Sequence, residues 1–258
     1  MHESEITVEE KVKLRNPLCI VGLPGIGNIG RIGLGYIVSH SKAKRFARLY
    51  SPYFFPFVMV HDNRIHVLRN EFYALKGAKR DYILLIGDCQ TYDPKGHYEI
   101  AGKVVDFVKS LGCKEIITIG GFSTGKIKDK PAVYGVASHD EIKKKLKEAG
   151  VDTNVAGKVS TIVGAAGLML GVAKVKGLKG FTLLGETSGF PIITDPNAAE
   201  AVLEVLQKFV DIKIDLTKLK EKVAEMHDFI SKLHNVQMQA MEQMQRPSKP
   251  EDKLRYIG

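Results

Sequence analysis

Hydrophobic and polar positions along the chain alternate between short continuous apolar runs and longer stretches of helical period. Residues 5–14 alternate, with Ile6, Val8, Val12 and Leu14 spaced as on an edge strand. Residues 18–21 form an apolar run that enters a glycine-rich turn and then an apolar helix ending near His40. Strands are predicted over residues 46–50, 54–61 and 64–69. The last two flank Asp62-Asn63, a dipeptide suited to a two-residue hairpin turn. Residues 82–86 and 116–119 are continuous apolar runs, the signature of strands buried on both faces. Between them Ile100, Val104, Phe107, Val108 and Leu111 mark one helix face, closed by Gly112. Further strands are expected over residues 131–137, 159–163 and 181–184. Ser138 to Glu141 reads as a capping box opening a helix that Gly150 closes. Asp195 and Pro196 open another helix, with Ala199, Val202, Leu203, Leu206 and Phe209 on one face.

This βα alternation predicts an α/β fold: a three-layer α/β/α core with a mostly parallel, Rossmann-like sheet and an inserted β-hairpin. The core is expected over residues 1–212. From residue 213 the pattern changes. Leu216, Leu219, Val223, Met226, Ile230, Leu233, Ala240 and Met244 keep a 3-4 spacing over about four heptads, interrupted by Gln237. A long C-terminal helix over residues 213–246 is expected. Its seam either lies on its own subunit or joins copies, with Leu219, Val223, Met226, Ile230 and Leu233 as the oligomer contacts. Residues 247–258 form a proline-broken polar linker ending Leu254-Arg255-Tyr256-Ile257-Gly258. Apolar and aromatic residues on a polar tether suit either a docking peptide or a frayed end.

Composition narrows the chemistry. A chain of 258 residues that is 44% hydrophobic can bury a substantial core. The net charge of +9 is spread along the chain without aromatic interleaving, so it reads as solvated surface and not as a nucleic-acid site. Three cysteines without CxxC spacing fit a reducing cytoplasm. The acidic start lacks the apolar segment of a signal peptide, and no run reaches membrane-spanning length. The histidines show no metal-ligand spacing, so no metal is expected.

The glycine turn is the obvious candidate for a ligand. Gly25, Gly27 and Gly30 match G-x-G-x-x-G between a strand and a helix, with Asn28 inside the turn. Gly121, Glu186, Thr187 and Ser188 follow later strands and fall on the same carboxyl edge, where open α/β sheets hold ligands. A nucleoside- or nucleotide-binding protein, or a weak enzyme, using these glycine-rich strand-end loops is the alternative reading, and a small anion would suit the turn as well. Against a dinucleotide, the region where a ribose-binding acid belongs holds Tyr50-Ser51-Pro52 and then the hairpin. Ile127 stands where a phosphate loop ending Gly125-Lys126 would need Ser or Thr. No nucleophile, base and oxyanion site assemble at known spacing, so no catalysis and no cofactor are expected.

Three signposts in order, Gly22-Leu23-Pro24-Gly25-Ile26-Gly27-Asn28, Gly120-Gly121-Phe122 and Gly185-Glu186-Thr187-Ser188-Gly189, resemble the archaeal branch of the proteasome assembly chaperone family. The resemblance implies a phosphorylase-like α/β/α core, no established catalysis, and homo-oligomers, tetrameric or pentameric, acting on the proteasome, with a related family member as a further partner. It also implies contact with proteasome α-ring subunits through a C-terminal hydrophobic-Tyr-any motif. Here Tyr256 is third from the end and follows Arg255, so the match is off by one position.

Overall fold

The computed structural model describes residues 1–126, 128–155, 160–189, 194–219 and, beyond these, Glu221, Lys232, Asn235, Val236, Met238 and Gln239. In chain order the elements are β1 (Glu5–Val8), β2 (Leu18–Gly22), a 3-10 turn (Ile26–Asn28), α1 (Ile29–His40), β3 (Lys44–Tyr50), β4 (Val58–His61), β5 (Arg64–Val67) and β6 (Asn70–Leu75). There follow β7 (Tyr82–Gly87), α2 (Pro94–Ser110), β8 (Glu115–Ser123), β9 (Val133–Ala137), α3 (Asp140–Glu148), α4 (Ala165–Val175), β10 (Lys179–Thr187) and α5 (Pro196–Leu206).

Eight strands form one sheet in the order β1-β3-β6-β7-β2-β8-β10-β9. Its centre, β7-β2-β8-β10, is parallel, and antiparallel strands complete both edges. Side chains of α1, α3 and α5 fill the core on one face, those of α2 and α4 the core on the other, which gives the three layers. The central strands are buried at every residue of β2 and β7. That burial is why they read as unbroken apolar runs.

Local chemistry explains the helix ends. Asp93 accepts from the Gly96 N–H at 2.7 Å and Asp195 from the Ala198 N–H at 2.9 Å, each with proline at the first helical position. Gly112, at φ +87°, takes the left-handed conformation just beyond α2. Asp62 and Asn63, at φ 49° and 56°, form the left-handed pair that a tight hairpin needs.

Several expected boundaries differ. The first strand stops at Val8, because the N–H groups of Glu9 and Glu10 both turn onto the Phe46 carbonyl. The strand expected over residues 54–61 is only β4, since Phe54 and Phe55 turn inward to the core on either side of a bend from Ser51. Ser138 does not cap α3. It pairs with Gly180 across β9 and β10, its Oγ accepting from the Gly180 N–H at 2.9 Å, and His139 stands at the N-cap instead. Of the strand expected over residues 159–163, residues 160–163 carry no strand and residue 159 lies outside the described residues. No helix is expected from the sequence over residues 165–175, where α4 stands. It is apolar nearly all round and anchored by the Thr118 hydroxyl donating to the Ala166 carbonyl at 2.7 Å. The strand β6 had not been anticipated; it pairs with both β3 and β7.

Core packing continues past α5. Ile212, Ile214 and Leu216 pack on the α1 side, and Leu219 is fully buried. Asp211 pairs with the Tyr82 hydroxyl, and burial together with that bond pushes Tyr82 up to about 12. The Asp215 carbonyl accepts from the Tyr36 hydroxyl. These bonds fix the departing chain at the amino ends of the central strands.

The tightest joint is the turn between β2 and α1. A Cβ on Gly22 would lie 2.2 Å from the Gly30 carbonyl oxygen, and one on Gly30 would lie 2.7 Å from that of Ile119. Neither oxygen can withdraw without breaking the strand-to-helix joint. Gly30→Ala is expected to destabilise the fold by about 2–4 kcal/mol. A urea midpoint unchanged from the parent would contradict this packing.

Candidate functional site

The carboxyl ends of β2, β8 and β10 meet the glycine turn where the sheet order reverses: β2 lies between β7 and β8, with α1 and α2 on opposite faces. A cleft of about 250 Å³ opens there, lined by Gly25, Ile26, Gln90, Gly121, Phe122 and Ile162 among others. Its position is the one expected for ligands of open α/β sheets. Its lining is mostly apolar and backbone. A larger cavity, about 420 Å³, opens at the opposite edge between α3, α5 and the sheet. There Arg80 pairs with Glu115, and Lys208 donates to the Ala149 carbonyl.

The structure brings the glycine-turn residues and the residues after β8 and β10 together, and most of their polar groups are turned onto the protein itself. Gly27 sits at φ +67° with its Cα against Thr187, so that an added Cβ would lie 3.0 Å from the Thr187 hydroxyl. Gly121 lies against the Ile26 carbonyl, 2.3 Å from where its Cβ would be. The Gly25 carbonyl accepts from the Asn28 N–H at 2.9 Å, and Asn28, at φ 49°, is buried. The Thr187 hydroxyl donates to Asp195 at 2.7 Å, and the Asp195 N–H donates to the Gly27 carbonyl at 2.9 Å. One aspartate therefore caps α5 and ties it to both the glycine turn and β10.

Glu186 is buried and accepts from Lys128 Nζ at 2.6 Å and from the Ala132 N–H at 3.2 Å. Burial pushes its carboxyl up, but the bonds from Lys128, Ala132 and Thr124 and the charge of Lys128 outweigh this and hold it below its ordinary value. Ser188 is buried, and its carbonyl accepts from the Ser123 hydroxyl at 3.4 Å. The amino end of α4 is likewise occupied. The Ala165 N–H donates to Gln90 at 2.8 Å, and Gln90 donates to the Pro24 carbonyl. One N–H of this helix end is thus already taken by a neutral amide.

A second polar cluster lay outside the sequence-derived candidates. Glu71 gathers Arg69 at 2.9 Å and Arg45 at 3.2 Å, and accepts from the Tyr73 hydroxyl at 2.8 Å. Glu9 pairs with Arg45 and Arg48. Burial would raise the Glu71 carboxyl, but these donors prevail and lower it. The cluster covers the face of β3 and β6 opposite Phe46 and Phe72. Nearby Asp88 accepts from the His66 Nε2 at 2.6 Å and from the Arg69 N–H at 3.2 Å, fastening the hairpin to the end of β7. Within β6 the polar Glu71 and Tyr73 flank the apolar Phe72, a short alternation that is the sequence's trace of this cluster.

Comparison with known proteins follows the same outline. The PAC2 family profile matches residues 19–234. The chain belongs to the PAC2 family. A Pyrococcus furiosus structure described as PbaB, an archaeal proteasome activator, is 37% identical; the likeness covers 91% of this chain and all of that one at a TM-score of 0.80. PbaA of the same organism, described as an archaeal homolog of proteasome-assembly chaperone, is 27% identical over 94% of this chain and 100% of its own, with a TM-score of 0.75. An uncharacterized protein of Methanocaldococcus jannaschii is 38% identical over 97% of each chain.

In this PAC2-family chain Leu219 lies inside its own subunit's core. Val223, Met226, Ile230 and Leu233 of the heptad seam, and Leu254, Tyr256, Ile257 and Gly258 of the tail, lie outside the described residues. The six further residues described from Glu221 to Gln239 are helical and exposed. No helix among the described residues is long and apolar enough to cross a membrane.

The Glu186 pair gives a pH signature. Its folded pKa lies below the ordinary value of 4.5, so its contribution is complete above that pH and is lost as pH falls through the depressed value. Glu186→Gln is expected to cost about 1–2 kcal/mol at pH 7, discounted for the half-exposed Lys128. The gap from the parent should shrink below pH 4.5. Urea unfolding at pH 7 and pH 3.5 measures it, and an equal gap at both would refute the ion pair.

Proposed function

We propose that this chain is an oligomeric, chaperone-like protein of the cytoplasm that binds or regulates the proteasome and has no catalysis of its own. Membership of the PAC2 family, with PbaB and PbaA as structural relatives, supports a proteasome-related chaperone role. The observation that carries the finer reading is the engagement of the carboxyl edge. Glu186, Thr187 and the Ala165 N–H of α4 are bound to the protein itself, and the described residues that line the cleft include no charged side chain to hold or activate a substrate. Function then falls to surfaces. Residues 247–258 carry a polar tether and an apolar-aromatic end, chemistry suited to insertion between proteasome α-ring subunits. Four or five copies would present as many tails at once, raising the effective concentration of each.

Deleting residues 254–258 is expected to weaken binding to purified archaeal proteasome at least about tenfold and to remove any stimulation of peptide hydrolysis. Tyr256→Ala should reproduce most of that loss. Unchanged binding by surface plasmon resonance in both variants would move the contact away from the tail.

A further inference from the structure

The cavity of about 420 Å³ between α3, α5 and the sheet has no part in the proteasome reading. Its floor lies at the amino ends of β2, β8 and β10, where Leu18, Ile116, Ile117 and Phe181 border it, and Ile142 of α3 lines it too. Each of these residues is at most 7% exposed. Together they border a space far larger than the gaps of a packed interior. Pockets that hold small molecules span about 300–1,000 Å³ and are lined mainly by such apolar side chains.

The space has a main-chain cause. Gly180 lines it, and pairing with β8 brings that glycine so close to Ile116 that a Cβ would lie 1.8 Å from the Ile116 carbonyl oxygen. The strand therefore carries no side chain at that place. Ala149, where α3 ends, lines the cavity with a single methyl group. Phe209, in the turn after α5, lies 4.8 Å from Phe181 between ring centroids and completes an aromatic wall.

The rim is charged. Arg80 and Glu115 bond each other. Lys208 donates to the Ala149 carbonyl at 2.9 Å, which sets a cation at the negative end of α3. Lys145 and Glu148 border the cavity from α3, and both are exposed. Glu148 has Lys144 at 4.0 Å. Glu141, one turn before Lys145, is engaged by Lys179 at 2.6 Å. Among the described residues no carboxylate lies within ion-pair distance of Lys145. Three cations and two carboxylates thus border the space, one positive charge in excess.

We propose that this cavity binds a small amphipathic monoanion, an apolar aliphatic or aromatic body bearing one carboxylate or sulfonate. The body rests on the floor of Leu18, Ile117 and Phe181. The head is held by Lys145 and by the N–H donors of Lys208 that Ala149 leaves unused. A doubly charged head suits the rim less, because Glu115 and Glu148 stand on it. An uncharged molecule would leave Lys145 unanswered.

The test uses full-length protein and the fluorescent probe anilinonaphthalene sulfonate, with octanoate and octanol as competitors. The expected result is one probe per chain, displaced by octanoate at a concentration at least about tenfold lower than by octanol. Ala149→Phe puts a ring into the space and should abolish probe binding while the circular dichroism spectrum stays as it is. Lys145→Glu should weaken octanoate about fivefold and leave octanol unchanged. Val60 and Ile65 of the β4–β5 hairpin are the competing apolar patch, exposed at 69% and 76%. Val60→Lys with Ile65→Lys should therefore bind the probe as the parent does. No saturable binding by the parent would overturn the proposal, as would binding that persists in a folded Ala149→Phe variant or vanishes with the hairpin lysines. Octanol competing as well as octanoate would overturn it too. If Ala149→Phe does not fold, Lys145→Glu decides, and an unchanged affinity for octanoate there refutes the site.

Discussion

Backbone meets backbone without an intervening methyl group where β2 turns into α1, and the rest of the carboxyl edge is set by that contact. Gly22 and Gly30 bring the strand, the helix and the Ile119 carbonyl of β8 together. Gly121 repeats the approach against Ile26, and Gly27 admits Thr187, whose hydroxyl holds Asp195. Three strands, β2, β8 and β10, and the two helices α1 and α5 on one side of the sheet are thus registered to each other through close contacts at the turn. Interior packing at this density transmits any added volume directly into the neighbouring elements.

The consequence for chemistry is that a glycine pattern usually associated with phosphate here serves closeness. A phosphate loop leaves N–H groups pointing into open space. In this chain the edge instead offers a mostly apolar cleft whose surrounding polar atoms largely bond one another. The charged residues that might have been recruited to a ligand are arranged elsewhere, as the Glu71 and Glu9 arginine network over β3 and β6. That network satisfies the charges on an antiparallel sheet margin over which no helix lies among the described residues.

How much of this was legible follows from which physical signals are local. The central strands announced themselves because burial on both faces forces unbroken apolar runs. The helix that starts at Asp195-Pro196 was placed because a cap is a contact within four residues. Asp62-Asn63 gave the hairpin for the same reason. Helix α4 was hidden since a segment apolar nearly all round shows no polar face to read a period from, and its two glycines imitate a loop. Strand β6 was hidden because Glu71 looks like a surface residue until its arginines, on β3 and just before β6, are brought to it. Ser138 had the sequence of a cap, but a distant strand claimed its hydroxyl. At the site, the glycines and the 186–188 segment were correctly brought to one edge, while their pairing with Asp195 and Lys128 depended on tertiary contacts that no spacing encodes.

Where the chain leaves the core has a consequence of its own. The bonds of Asp211 and Asp215 and the burial of Leu219 draw the first two apolar positions of the heptad pattern, Leu216 and Leu219, onto the core. Those two positions therefore belong to the fold, although their spacing is that of the seam. Under the oligomeric reading proposed above, changes in the number or partners of an assembly would fall on the later positions and the tail, while the sheet, and the glycine joint that sets it, stay as they are.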